Sequence, residues 1–240
     1  MAIAIFGASS GIGRACVKSL LEKGGEQIFV ISRSSCPEEF KNYQTVQWYK
    51  YSENALKSPA EFAERVKKTI IDKKIDLTGL VLNAGMLEVG SAVSFTEAAL
   101  EKMMMVNFYS HVFLVRALLP KMLRKGGSLV AISSSAAENY SEGRAIYNAS
   151  KRALEGYLIT VGREVGSRNV RVNIIRPGLT DTSLMRSTTS SESESKFFES
   201  AALKKVCTPD DIAQVVKFLL SAESSNMTCS FIPVHGGSRI

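Results

Sequence analysis

A tyrosine and a lysine stand four residues apart in the sequence, at Tyr147 and Lys151. Residues with this spacing lie on the same face of a helix, so the ammonium is expected near the phenol. A tyrosine titrates near ~10, and a neighbouring positive charge is the simplest way to lower that pKa toward neutrality. Ser134 adds a hydroxyl after a strand-like run. Together these three groups predict proton transfer to a carbonyl oxygen.

The Tyr-x-x-x-Lys spacing is common by chance, and a surface helix with an incidental pair is the alternative interpretation. Other motifs must therefore support the chemistry. Ala2–Phe6 is typical of a buried strand, residues 7–13 form a Gly-rich turn, and helical periodicity follows over residues 14–23. Glycines let the backbone approach a pyrophosphate, and a helix N-terminus offers unpaired N–H groups and a positive dipole end. This order predicts a phosphate-binding unit.

A second strand is predicted at Gln27–Ser32 and is followed by Arg33. In dinucleotide-binding folds an acidic residue at this place holds the ribose 2′-hydroxyl, whereas an arginine accommodates a 2′-phosphate. Arg33 therefore favours NADPH as the cofactor, with NADH left open. The alternative is an arginine on a solvated loop.

Strand-like and helical segments alternate along the rest of the chain, without a break in composition. Helix starts are predicted at a capping box in residues 58–61 and at the caps Thr96 and Thr208. Further strands are predicted at residues 45–51 (an edge strand), 80–82, 128–132, 170–175 and 231–234. The alternation predicts one domain over residues 1–240, a doubly wound parallel sheet in a three-layer α/β/α arrangement.

Composition and charge narrow the class of protein. Apolar residues make up 45% and charged residues 22%, which is typical of a soluble globular protein. The net charge of +7 favours anionic ligands such as a nucleotide or an acidic carrier protein. Because the basic residues are scattered, nucleic-acid binding is not expected. No apolar run approaches the ~20 residues of a membrane helix, and the apolar N-terminus is interpreted as a strand rather than a signal peptide.

The four cysteines do not have the spacing of metal ligands, and neither histidine lies near one of them in sequence. We therefore expect no metal site, no disulfide framework and a cytoplasmic location. The cysteines are Cys16, Cys36, Cys207 and Cys229.

Two further stretches carry residue types that bind ligands in other proteins. The methionines at residues 103–105 are expected to fill the core, and His111 is expected to be packed or at an interface rather than catalytic. Residues 187–196 are polar and low in complexity. We expect them to be mobile, either as a loop or as part of a substrate lid around residues 180–205.

The ordered set of motifs resembles the short-chain dehydrogenase/reductase family, in its compact single-domain branch, over essentially the whole chain. Ser134 is chosen among three consecutive serines because the family's serine lies 13 residues before its tyrosine. The motifs are Gly7-x-x-x-Gly11-Ile12-Gly13, Asn83-Ala84-Gly85, Asn107, Ser134, Tyr147-x-x-x-Lys151 and Pro177-Gly178.

The resemblance implies an NADP(H)-dependent oxidoreductase that reduces a small ketone or aldehyde reversibly. Tyr147 would donate the proton and Ser134 would hydrogen-bond the carbonyl oxygen. Lys151 would lower the pKa of Tyr147 and bind the nicotinamide ribose, and Asn107 would hold a water linked to Lys151. The implied cofactor-binding residues are Gly7, Ser9, Ser10, Gly11, Ile12, Gly13, Arg33, Asn83, Ala84, Gly85, Tyr147, Lys151, Pro177, Gly178, Thr180 and Thr182.

Three departures from the family pattern matter. Phe6 and Leu82 replace a threonine and an asparagine on neighbouring strands; replacing both polar partners is near neutral if the new side chains pack together. Lys50 replaces an acidic residue near the adenine, so adenine contacts there are in question. A glycine before the last strand is replaced around Cys229-Ser230, which bears on C-terminal packing and on any oligomer built on that strand.

Several functions stay open within this resemblance. A 3-oxoacyl-[acyl-carrier-protein] reductase is one specific version, since Lys125 and Arg168 resemble carrier-docking positions; ordinary solvated charges are the alternative. A catalytically idle NADP(H)-sensing or scaffold protein is another class, whereas a nucleotide-sugar epimerase needs a different glycine spacing and a longer chain. The family also implies a homodimer or homotetramer. The substrate pocket is expected between the loop after Leu87, residues 136–146 and residues 187–202.

Overall fold

A seven-stranded parallel sheet forms the centre of the computed structural model, which describes residues 2–140 and 142–238. Ser141, in the predicted substrate-pocket stretch, and Met1, Arg239 and Ile240 lie outside the described residues. The strand order is β3-β2-β1-β4-β5-β6-β7, and every neighbouring pair runs parallel. The strands are β1 (Ala2–Phe6), β2 (Gln27–Ser32), β3 (Val46–Lys50), β4 (Leu77–Leu82), β5 (Gly127–Ile132), β6 (Val170–Pro177) and β7 (Ser230–Val234).

Helices cover both faces of this sheet. The helices are α1 (Gly11–Lys23), α2 (Pro59–Asp72), α3 (Glu97–Met104), α4 (Ser110–Met122), α5 (Ala136–Asn139), α6 (Ala145–Val165), α7 (Ser183–Thr188), α8 (Ser191–Ser200) and α9 (Pro209–Leu220), with a π-helical turn Met105–Tyr109 between α3 and α4. One buried cluster joins the sheet to α2, α4 and α6, and a second joins its other face to α1 and α9. The predicted three-layer, doubly wound fold is confirmed.

The strand order reverses between β1 and β4, because β2 and β3 lie on one side of β1 and the later strands lie on the other. In an open parallel sheet, ligands bind outside the carboxyl ends of the strands at this reversal. Gly7 follows β1 and Asn83 follows β4. The topology therefore brings two motifs that are far apart in sequence to one crevice.

Phe6 and Leu82, the two apolar departures, are direct neighbours across β1 and β4 and are fully buried. The Phe6 ring also packs against the rings of Phe62 (5.9 Å between centroids) and His111 (5.2 Å). The expected apolar pairing is confirmed. His111 is buried, and its Nε2 lies 2.9 Å from the Ala84 carbonyl oxygen, so it is a packed histidine as expected.

Two of the three predicted helix caps are confirmed. Thr96 and Thr208 have extended backbones, and their hydroxyl oxygens accept hydrogen bonds from Ala99 N and Asp211 N. The capping box at residues 58–61 is wrong, because the Ser58 side chain makes no capping hydrogen bond. Ser58 directly follows a 3₁₀ turn, and its ψ of 75° lies outside the extended region that a capping serine adopts.

The polar segment at residues 187–196 is helical, so the expectation of a loop is wrong. It falls within α7 and α8, on either side of a short break. Ser190 caps α8 by accepting a hydrogen bond from Ser193 N (3.2 Å), and Glu192 pairs with Lys196 one turn later (2.6 Å). Capping and i,i+4 ion pairs stabilise a helix whose low complexity resembles a linker. Its motion remains a prediction.

One continuous helical stretch, Glu97–Met122, is long and apolar enough by length and composition to cross a membrane. This is weak evidence, because core helices pass the same test. Its Met103, Leu114 and Leu118 side chains are fully buried in the protein, and 44% of its most apolar window is buried. Met103 fills the core, as expected, whereas Met105 is only partly buried and also lines the cavity described below.

The chain before β7 keeps its path without the family's glycine. Cys229 adopts a φ of +53°, the left-handed region that favours glycine, and its sulfur lies against Gly162 of α6. A Cβ on Gly162 would lie 2.8 Å from that sulfur. The small residue at position 162 therefore makes room for Cys229, and β7 still pairs with β6 along its full length.

Candidate active site

A cavity of about 1350 Å³ opens at the carboxyl ends of the strands and collects nearly all of the predicted site residues. Gly13 and Asn107 are the two predicted residues that support it from behind rather than line it. The predicted residues that line it are Gly7, Ser9, Ser10, Gly11, Ile12, Arg33, Asn83, Ala84, Gly85, Ser134, Tyr147, Lys151, Pro177, Gly178, Thr180 and Thr182.

The Gly-rich turn is tightly packed against the segment after β4. Gly7 has a φ of +86°, and a Cβ there would lie 2.6 Å from Ala84 Cα. A Cβ on Gly13 would lie 2.1 Å from the Gly7 carbonyl oxygen, to which the Asn83 amide also donates a hydrogen bond. These glycines are required by close backbone approach. In the chain alone, Asn83 and Ala84 hold the turn in shape.

The N-terminal end of α1 fits an anionic group. Ser10 precedes the helix without a side-chain capping bond, and the first turn has no acidic residue. Ser9, Ser10 and Gly11 line the cavity there, so unpaired N–H groups and the positive end of the dipole face open space. Arg33, at the end of β2, lines the same part of the cavity. These residues would hold the phosphates of a dinucleotide.

Ser134 and Tyr147 meet in the same cavity. Tyr147 is 8% exposed, and the Ser134 side chain lies close enough to its phenol to lower the pKa of that phenol. The neighbouring Ser133 hydroxyl is already bound to the Glu155 carboxylate at 2.7 Å, so the choice of Ser134 among the serines agrees with the geometry.

The electrostatics of Tyr147 differ from the sequence expectation. Burial raises the pKa of the phenol, while the Ser134 side chain and the positive charge of Arg144 oppose that rise. In the chain alone the pKa of this phenol is therefore raised, and the expectation that Lys151 lowers it stays a prediction. The Lys151 Nζ lies 5.8 Å from the centre of the ring.

Lys151 is a buried cation that reaches behind the phenol. It is 3% exposed, and its Nζ donates a hydrogen bond to the Ile132 carbonyl oxygen at 3.0 Å. Burial lowers its pKa to about 8, partly offset by the negative charge of Glu155. Lys151 therefore titrates near the physiological range.

Asn107 lies in the π-helical turn Met105–Tyr109, a feature that is frequent at functional sites. Its amide bonds to both backbone groups of Met86 (2.8 and 2.9 Å) and donates to Ser150 Oγ at 3.0 Å. A Cβ on Gly85 would lie 3.4 Å from Lys151 Nζ and 3.6 Å from Asn107 Oδ1. The two groups thus border the same glycine, and the water between them remains a prediction.

Sequence reasoning missed three charged residues at this site. Arg144 lines the cavity three residues before Tyr147. Glu155 and Arg176 form a buried ion pair directly behind Ser133, with an N–O distance of 2.9 Å. The available signals were local: Glu155 lies one helical turn after Lys151, and Arg176 immediately precedes Pro177.

The predicted carrier-docking residues lie elsewhere. Lys125 precedes β5 and pairs with Asp76, and Arg168 precedes β6. Both stand at the amino ends of their strands, whereas the cavity opens at the carboxyl ends. Among residues 2–140 and 142–238, no cluster of three potential metal ligands occurs, and all four cysteines are free thiols.

Comparisons with known proteins identify the family of this chain. A family model described as enoyl-(acyl carrier protein) reductase matches residues 7–239. Dehydrogenase/reductase SDR family member 4 of Homo sapiens is 35% identical over 182 residues, which are 75% of this chain and 66% of that relative. Carbonyl reductase family member 4 of Danio rerio is 30% identical and is matched over 98% of this chain and 97% of its own length.

A solved structure shares the fold. The 3-ketoacyl-(acyl-carrier-protein) reductase from Brucella melitensis, complexed with NADH, superposes with a TM-score of 0.89 at 22% identity, covering 100% of this chain and 98% of that one. At this identity the likeness concerns the fold alone. The family-model match and the full-length Danio rerio relative carry the assignment: the chain belongs to the short-chain dehydrogenase/reductase family of oxidoreductases.

Proposed function

We propose that this protein is an NADPH-dependent reductase that converts a ketone or aldehyde to an alcohol, reversibly. The observation that carries the proposal is that Ser134, Tyr147 and Lys151 line one cavity together with the Gly-rich turn. The Lys151 Nζ lies 5.8 Å from the centre of the Tyr147 ring. Membership of an oxidoreductase family and the Danio rerio carbonyl reductase support it.

Each residue has one task in this chemistry. NADPH, when bound, supplies a hydride to the carbonyl carbon. Tyr147 donates its proton to the carbonyl oxygen, and Ser134 donates a hydrogen bond to that oxygen as negative charge develops. Lys151, with a pKa of about 8, is mostly protonated at neutral pH and stabilises the phenolate that remains. Asn107 joins the loop after β4 to α6 through its hydrogen bonds to Met86 and to Ser150, the residue before Lys151.

The preference for NADPH rests on Arg33. Its side chain is exposed at the mouth of the cavity, where β2 ends, and a guanidinium there can bind a 2′-phosphate through paired hydrogen bonds. Lys50 ends the neighbouring strand β3 and donates to Ser35 Oγ at 3.1 Å, so it holds the loop beside Arg33. The basic character of this corner supports a phosphorylated ribose.

The decisive experiment is Tyr147→Phe. We expect kcat for NADPH-driven reduction of a diketone, quinone or aldehyde to fall about 10²–10⁴-fold, the usual loss on removing a general acid. NADPH binding, measured by fluorescence titration, should persist. Tyr157→Phe, on the same helix but outside the cavity, is the matched control. Full turnover in Tyr147→Phe would refute the proposal and favour a cofactor-sensing protein.

A carrier-protein reductase is the second candidate, because the matching family model is described by an enzyme that acts on acyl groups held by an acyl carrier protein. It predicts that 3-oxoacyl thioesters are reduced better than free ketones of similar size. Good activity on free ketones with none on thioesters would exclude it.

We also propose that the protein assembles as a homodimer or homotetramer. Leu100 and Tyr109, on the helical stretch that carries Asn107, are 46% and 44% exposed. Light scattering on the protein and on Tyr109→Glu tests this, and a monomer in both would refute it.

A further inference from the structure

The backbone around Arg144 is hydrogen-bonded on both sides. Its carbonyl oxygen accepts a hydrogen bond from Asn148 N at 2.8 Å, in the first turn of α6. The preceding Gly143 has a φ of +73°, and its carbonyl oxygen accepts a hydrogen bond from Gly90 N at 2.9 Å. Both sides of Arg144 are therefore anchored, one to the helix of Tyr147 and one to the loop after β4.

The Arg144 guanidinium is half-buried and lines the cavity. None of the carboxylates that the structure describes forms an ion pair with it, although Glu142 lies two residues away. Removing part of a charged group from water costs free energy, and an opposite charge offsets that cost. Its position is explained if the missing partner is a ligand.

The cavity as a whole carries a positive balance. Among the described residues that line the cavity, six are basic and two, Glu101 and Glu142, are acidic. Lys196, on α8, is already paired with Glu192 at 2.6 Å. The first turn of α6 has neither an acidic residue nor a side-chain cap, so its positive dipole end is not compensated there. A single unpaired guanidinium matches a monoanion such as a carboxylate, which it can bind through two hydrogen bonds.

We propose that Arg144 selects substrates that carry a carboxylate close to the reacting carbonyl, so that the enzyme is an oxo-acid reductase. This inference rests on the proposed function, since it names the substrate class of the same site. Arg144 binds the carboxylate while Tyr147 and Ser134 bind the carbonyl oxygen. The charge of Arg144 already acts on the pKa of Tyr147, which places the guanidinium within electrostatic reach of the reacting oxygen.

The test compares 2-, 3- and 4-oxo carboxylates with their methyl esters, using NADPH and the full chain. We expect kcat/KM to favour the carboxylates, mainly through KM. Arg144→Gln should lower the carboxylate-to-ester ratio of kcat/KM by about 10- to 100-fold, the value of a hydrogen-bonded charge pair. Arg144→Lys should restore part of the ratio, because it keeps the charge without the planar fork.

Arg163→Gln is the matched control, because it removes an exposed charge from the same helix outside the cavity and should leave the ratio unchanged. Equal losses on carboxylates and esters in Arg144→Gln would show that Arg144 acts on Tyr147 alone and would overturn the proposal. Equal kcat/KM for the carboxylates and their methyl esters in the unmodified protein would also overturn the proposal. This result would leave the reductase function intact.

A binding measurement separates this inference from the reductase function. Calorimetric titration of the protein with benzoate and with benzamide, in the presence of NADP⁺, needs no turnover. Benzoate should bind more tightly than benzamide to the protein and to Tyr147→Phe, and this difference should vanish in Arg144→Gln. If benzoate binds no more tightly than benzamide, the carboxylate site is refuted, whatever the reductase activity. If benzoate binds more tightly but no carbonyl compound is reduced, only the proposed reductase function is refuted.

Discussion

Glu155 is 2% exposed, and its carboxylate joins the helix of Tyr147 to the two strands behind the site. It accepts hydrogen bonds from Ser133 Oγ (2.7 Å) and from the Nε and a terminal nitrogen of Arg176 (both 2.9 Å). Its charge also raises the pKa of Lys151 against the effect of burial. Glu155→Gln keeps the size of the side chain and removes the charge.

We expect this substitution to cost about 3 kcal/mol of unfolding free energy. Removing one partner of a buried ion pair costs ~3–5 kcal/mol, because the other charge stays buried. We expect the lower end of this range because Arg176 keeps its ion pair with Glu138 (3.0 Å), which partly compensates the buried charge. For a chain of 240 residues this corresponds to a Tm lowered by roughly 6–12 °C. Urea denaturation measures the loss directly.

The substitution should also change the pH dependence of catalysis. Without the Glu155 charge the Lys151 ammonium is less stabilised, so its pKa falls below about 8. The protonated fraction then declines at lower pH, and the descending limb of kcat/KM moves to lower pH. If Glu155 contributes to packing but its charge does not act on Lys151, the descending limb of kcat/KM will stay at the same pH.

Glu138→Gln is the control, because Glu138 contacts the same Arg176 but its side chain is 58% exposed. Exposed pairs contribute at most about 1 kcal/mol. If Glu155→Gln and Glu138→Gln show the same urea midpoint at equal slopes, the assignment of a buried ion pair behind the active site is refuted.

Three further outcomes are expected. Gly13→Ala should weaken NADPH binding in a fluorescence titration and cost ~1–3 kcal/mol, because the new Cβ would lie 2.1 Å from the Gly7 carbonyl oxygen; unchanged binding would contradict the tight turn. Arg33→Asp should shift the ratio of kcat/KM for NADPH over NADH toward NADH by about tenfold or more, and an unchanged ratio would show that the 2′-phosphate is bound elsewhere. Reduction should decline as pH rises through about 8, where Lys151 loses its proton, and a flat pH profile across that value would contradict its role.

Much of the fold follows from local sequence patterns. Alternating strand and helix signals predict a parallel sheet, and the predicted caps at Thr96 and Thr208 are correct because capping is decided by a few adjacent residues. The prediction of a loop at residues 187–196 is wrong because serine repeats resemble a linker. The helix that they form depends on a capping serine and an ion pair. Both depend on the spacing of particular residues, which the composition of the segment does not show.

The sequence by itself determined which groups are present for catalysis and the order in which they occur, because Tyr147 and Lys151 lie one turn apart on one helix and Ser134 ends a strand. Only the tertiary structure decided the pKa values of these groups. Burial raises the pKa of Tyr147 and lowers that of Lys151, and the charges that adjust both values are Arg144 and Glu155. A pKa depends on depth and on every neighbouring charge, including those brought from distant parts of the chain, and these quantities exist only once the chain is packed.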